Sequence, residues 1–211
     1  MKSYKQFINE SKKMDINSIC KRFNISNYTI NKDGSIDVDG NVNFFNKSLT
    51  NIPLKFRNIT GDFRLDHNKL TSLEGCPKSV GGDFGCSFNK LTSLEGCPES
   101  VGEFFECGSN QLTSLEGISE IVNTTIYCSY NKITDFKGIS EYFDGRFYCG
   151  DNPIYEIYYL FNNDVNCIKW INEFDVIQDG DKVIMDRLEE VYHQLGMDIP
   201  ENITFENYEI I

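Results

Sequence analysis

Eight cysteines are the residues whose chemistry first asks for an explanation, and four of them, Cys86, Cys107, Cys128 and Cys149, stand 21 residues apart. Thiols in register on neighbouring strands lie within bridging range of one another, and a thiolate ladder attracts a soft metal. The reading favoured here is a buried column of small apolar side chains that stay thiols in a reducing compartment, with a metal or redox role as the alternative. Cys76 and Cys97 each precede a proline, Cys20 and Cys167 stand outside the repeated region, and no C-x-x-C spacing occurs. Acid–base and nucleophilic catalysis have little to draw on. The imidazoles are His67 and His193, and neither stands in a Ser/His/Asp or Cys/His arrangement. No phosphate loop or dinucleotide glycine motif is present, and the DVDGNVN string from Asp37 lacks the regular acidic order and distal Glu of a calcium loop. The expectation is a protein with no enzyme activity, no cofactor and no metal.

The elements that hold these residues follow from a repeat. LTSLEGCPKSVGGDFGCSFNK from Leu70 recurs as LTSLEGCPESVGEFFECGSNQ from Leu91 and LTSLEGISEIVNTTIYCSYNK from Leu112, with related units from Leu49 and Ile133. In each, an apolar pair at i and i+2 marks a short strand, and an Asn follows at Asn68, Asn89, Asn110, Asn131 and Asn152. Apolar residues come next, as at Leu91 and Leu94, which completes the pattern of leucine-rich repeats. The Asn column suits side-chain amides that satisfy loop backbone groups of a neighbouring coil. A second apolar anchor recurs at Ile59, Val80, Val101, Val122 and Phe143, and Pro77 and Pro98 argue for extended or turn-like segments there. Stacked coils share a core that no single unit could bury. The expected fold is an α/β repeat solenoid of leucine-rich-repeat type, with a short parallel β-sheet on its concave face.

Residues flanking each buried pair should face away from the core. They form the columns Asp62, Asp83, Phe104, Thr125, Arg146; Arg64, Gly85, Glu106, Tyr127, Tyr148; and His67, Phe88, Ser109, Tyr130, Asp151. Exposed aromatics on a concave surface often mark contact sites, with cross-strand stabilisation of the sheet as the plainer alternative. The candidate partner-binding residues are Arg64, His67, Phe88, Phe104, Glu106, Tyr127, Tyr130, Arg146 and Tyr148.

Four regions are expected: a leader or loose terminus over 1–13, an N-terminal cap over 14–39, the solenoid over 40–153 and an acidic C-terminal helical cap over 154–211. Asp15 ahead of Ile16, Ile19, Cys20 and Phe23 predicts a capped helix, and the alternation from Ile36 to Phe44 predicts a strand or hairpin leading into the repeats. Ile184, Leu188, Val191 and Leu195 predict a helix between an N-cap at Asp181 and a stop at Gly196, with another before it around Val165, Ile168 and Ile171.

The 211 residues carry 32 acidic and 20 basic side chains, for a net charge of -12. Residues 155–211 hold 13 acidic residues against Lys169, Lys182 and Arg187, a balance of -10. No Lys/Arg cluster of the kind that grips DNA occurs, so no nucleic-acid partner is expected. No membrane association is expected either, since no apolar run nears the roughly 20 residues of a span. A monomer is favoured. Alanine is absent, while Asn, Ile, Phe, Tyr and Lys are abundant, choices that favour A/T-rich codons.

The blocks SLEGCPKSVGGDFGCSFNKLTSLEGCPESVG from Ser72 and GSIDVDGNVNFFNKSLTNIP from Gly34 resemble leucine-rich-repeat proteins of large myovirus-type phages. The terminus MKSYKQFINE is similar to the capsid-targeting leader of internal head proteins in T-even-type phages, whose cleavage site ends hydrophobic-x-Glu. That resemblance implies processing at Ile8-Asn9-Glu10, with Ser11 as the new terminus. The likeness implies a module acting in the bacterial host cytoplasm or packaged in the virion head. The favoured expectation is a non-enzymatic module that binds a host or phage protein through its concave aromatic face. The alternatives are a head-internal structural or injected protein, and an acidic DNA mimic that inhibits a host defence protein.

Overall fold

The computed structural model describes residues 15–211, so the expected leader over 1–13, with Ile8, Glu10 and Ser11, lies outside the described residues. Asp15 accepts the Ser18 N–H at 2.9 Å and opens α1 (Ile16–Arg22), which buries Ile19 and Cys20. A hairpin follows, β1 (Tyr28–Ile30) antiparallel to β2 (Ile36–Val38). The alternating run from Ile36 to Phe44 is not one strand. It turns a corner at Gly40, whose φ of 128° is open to glycine, and β3 (Val42–Asn43) enters a different sheet.

Each later coil supplies two short strands: β4 (Phe56–Ile59) and β5 (Phe63–Arg64), β6 (Ser79–Val80) and β7 (Phe84–Gly85), β8 (Ser100–Val101) and β9 (Phe104–Glu106), β10 (Ile121–Val122) and β11 (Thr125–Tyr127). The last coil adds only β12 (Arg146–Tyr148). One sheet runs β1-β2-β4-β6-β8-β10, and the other runs β12-β11-β9-β7-β5-β3. Successive partners such as Phe63↔Phe84↔Phe105 and Asn58↔Ser79↔Ser100 are parallel and 21 residues apart. The fold is a parallel-strand β-solenoid of about five coils. The segments expected to be merely extended pair into a sheet of their own, because equal coil lengths bring their backbones into register.

The core lies between the two sheets. Phe63, Phe84 and Phe105 are fully buried and packed ring to ring, with centroids 6.2 and 5.1 Å apart, while Ile59, Val80 and Val101 close the other side. The asparagines stitch the coils together. Asn89 donates to the Leu65 and Cys86 carbonyls at 3.0 Å each and accepts the Leu70 N–H at 3.0 Å; Asn110, Asn131 and Asn152 repeat the pattern.

The chain ends in α2 (Tyr155–Leu160), α3 (Asn166–Glu173), β13 (Ile177–Gln178), β14 (Lys182–Val183), α4 (Met185–Leu195) and β15 (Glu209–Ile210). Tyr158 packs edge-on against Phe147 of the last coil at 5.4 Å, and Tyr208 donates its hydroxyl to the Thr134 carbonyl at 2.8 Å. The helix expected to start after Asp181 starts at Met185, with Ile184 at its N-cap, because Lys182 and Val183 are taken up by β14. Gly196, left-handed at φ 64°, ends it as expected. Among the described residues no helix is long and apolar enough to cross a membrane.

Candidate functional site

Within the second sheet the strand period of two sends Phe105 and Cys107 inward and leaves Phe104 and Glu106 on the outer side. The residue just before each repeated Asn breaks from strand geometry. His67, Phe88, Ser109, Tyr130 and Asp151 all have φ between 54° and 60°, in the left-handed region. Asn, Asp and His are commonest there among residues with a side chain, whereas a bulky aromatic is an outlier that the surrounding structure must hold in place. Phe88 and Tyr130 are nonetheless 53% and 63% exposed. These two side chains contribute little burial in return for their strain.

The aromatics gather into two groups. His67 stacks on Phe88 at 4.2 Å with planes 8° apart, and Phe45 meets His67 edge-on at 5.0 Å. Phe104 meets Tyr127 edge-on at 6.0 Å, and Tyr127 stacks on Tyr148 at 4.9 Å. Phe45 was not singled out from sequence. The doubled Phe44-Phe45, with Phe44 in the buried pair, was the signal that could have found it. Thr125, expected on the outer face, is buried, because its short side chain lies in register between the larger Phe104 and Arg146 on the neighbouring strands.

Arg64 and Glu106 face each other. The Arg64 Nη1 and Nη2 donate to Glu106 Oε1 and Oε2 at 3.0 and 3.3 Å, two coils away, across Gly85. A Cβ at position 85 would run into the Asp66 carboxylate and stand 2.9 Å from Arg64 Nε, so glycine is what lets the guanidinium lie flat. Asp66, itself buried, accepts from Arg64 Nε at 3.1 Å, and Asp83 lies 3.5 Å from Nη1. Three carboxylates thus surround one guanidinium. Burial pushes the Glu106 carboxyl up, against the pull of Arg64. Burial also works against the Arg64 charge, but the Asp66 and Glu106 carboxylates outweigh it and hold its pKa above the ordinary value.

No family model, curated protein or solved structure matches the chain. The functional reading therefore rests on the chemistry of these side chains.

The cysteine column is buried at Cys86, Cys107, Cys128 and Cys149, and all eight cysteines are free thiols. Burial pushes the Cys149 thiol up to about 12 and Cys97 up to about 11, and raises Cys86, Cys107 and Cys128 as well. Such thiols are poor nucleophiles at neutral pH. Among the described residues no group of three His, Cys, Asp or Glu side chains is arranged to hold a metal ion. His67 lies in the aromatic stack and His193 on α4, so the two imidazoles sit on different elements.

Proposed function

We propose that the chain is a leucine-rich-repeat protein of the large-phage type whose outer sheet face, concave along the coils, holds a host or phage protein. The helix and hairpin before the repeats and the acidic helices after them act as its caps. The observation that carries this reading is the pair Phe88 and Tyr130, bulky, exposed and held in left-handed backbone that stability alone would give to Asn or Gly. Exposed aromatics beside an exposed Arg146 have the composition of interface hot spots. Arg64 and Glu106, already paired, shape the floor of that face.

The protein acts without catalysis and without a cofactor in the bacterial host. A host or phage protein captured by the purified chain, and lost with the Phe88→Ala/Tyr130→Ala double variant at unchanged thermal stability, is the expected result. Capture that survives both substitutions and the Tyr127/Tyr148 pair together would move the contact elsewhere. Mass spectrometry of purified virions tests packaging and whether a peptide begins at Ser11.

A further inference from the structure

The solenoid's second sheet stops at β12, which has β11 on one side and, among the described residues, no strand on the other. In every earlier coil the inward-facing residue donates its N–H to the next coil: Cys107 to the Tyr127 carbonyl and Cys128 to the Tyr148 carbonyl, at 2.8 Å each. The equivalent donors of the last coil, the N–H groups of Phe147 and Cys149, meet no further strand among the described residues. Phe147 and Cys149 line a groove of about 600 Å³ together with Tyr155, Tyr158, Asp164 and Val165. The Tyr127–Tyr148 stack ends here too. One face of the Tyr148 ring is covered by Tyr127, and Tyr148 also lines the groove.

We propose that this edge takes up an extended segment of a partner protein as a further parallel strand, reading acidic, apolar, arginine opposite Arg146, Phe147 and Tyr148. The main chain supplies the hydrogen bonds, and side-chain columns supply the selection, as in other strand additions. In the register of the coils, Phe147 N–H donates to the carbonyl of the acidic residue and Cys149 N–H to that of the arginine. The arginine N–H in turn donates to the Phe147 carbonyl. Arg146 is exposed and makes no ion pair among the described residues, so it can meet the acidic side chain. The apolar side chain packs on Tyr158, which covers Phe147 and lines the groove. The guanidinium stacks on the open face of Tyr148, a cation–π arrangement, with Asp164 across the groove. The -10 balance of residues 155–211 favours a basic group at that end.

This inference goes beyond the contact-face reading and shares only Arg146 and Tyr148 with it. The test is a titration of the isotope-labelled full chain with acetyl-Thr-Glu-Val-Arg-Thr-amide, followed at the backbone amides of Phe147 and Cys149. Both signals should shift, with a dissociation constant of about 1 mM. The charge-swapped peptide acetyl-Thr-Arg-Val-Glu-Thr-amide should bind roughly fivefold more weakly, the scale of two exposed ion pairs. N-methylation of the arginine amide should abolish the shifts. No response at roughly ten times that concentration, or equal binding of the N-methylated peptide, would overturn the proposal. Phe88→Ala lies outside the groove and should leave the titration unchanged. Partner capture that depends on Phe88 while the peptide fails to bind would sink the edge site alone.

Discussion

Tyr127 and Tyr148 stack one coil apart, with ring centroids 4.9 Å from each other and planes 4° from parallel. That distance is the separation of neighbouring strands, so the coil repeat itself sets the stack. Both rings are exposed, and a stacked pair adds only about 0.5–1.5 kcal/mol. Tyr127→Ala with Tyr148→Ala should therefore lower stability by no more than that while weakening partner capture. Leu94→Ala, at a fully buried position, should cost ~2–5 kcal/mol. Equal losses in thermal unfolding would mean that the tyrosines belong to the core.

The Arg64 cluster makes a pH-dependent prediction. Glu106 has a folded-state pKa raised above the ordinary 4.5, so between those two values the folded chain binds more protons than the unfolded one. Stability from this group is thus present at low pH and lost as pH rises through the folded pKa. Glu106→Gln keeps the shape without the charge. The melting temperature of the variant relative to the natural chain should rise from pH 4 to pH 7; a flat or falling difference would show that the Arg64 pairing outweighs the desolvation of Glu106.

The coil length, the buried pairs and the Asn column could be read from sequence because each recurs at a fixed 21-residue spacing. The first sheet was legible only at its start, in the alternation from Ile36. Its repeat strands β6, β8 and β10 are two residues long, too short for a period of two to register. Placing Arg64, Gly85 and Glu106 in one column was possible from the repeat, yet their pairing depends on the missing side chain at Gly85. The left-handed turn before each Asn was hidden because Phe88 and Tyr130 are residue types that do not announce it.

The thiol column should behave as packing. Cys86, Cys107, Cys128 and Cys149 are buried with raised pKa values, so alkylation should proceed only at the rate of unfolding. Cys107→Val should be close to neutral, whereas Cys107→Asp, with a carboxylate among apolar neighbours, should prevent folding. Fast labelling of several of these thiols in the native chain, or metal that copurifies and is lost in Cys107→Val, would reopen the redox or metal role.

Tyr130 offers the sharpest separation of stability from function. Its φ is 60°, it is 63% exposed, and no ring contact or side-chain hydrogen bond engages it among the described residues. Asn46 occupies the same position four coils earlier at φ 54°, which demonstrates that the column accepts the residue best suited to left-handed backbone. Tyr130→Asn should accordingly stabilise the chain by about 0.5–1 kcal/mol, since it relieves strain and gives up almost no burial. For a chain of this size that is a rise in melting temperature of roughly 1–4 °C. The same substitution should weaken partner capture. A variant that becomes more stable while binding less well is the signature of a side chain kept for contact. One that loses stability would place Tyr130 among the residues that hold the coils together, and the contact face would then have to be drawn without it.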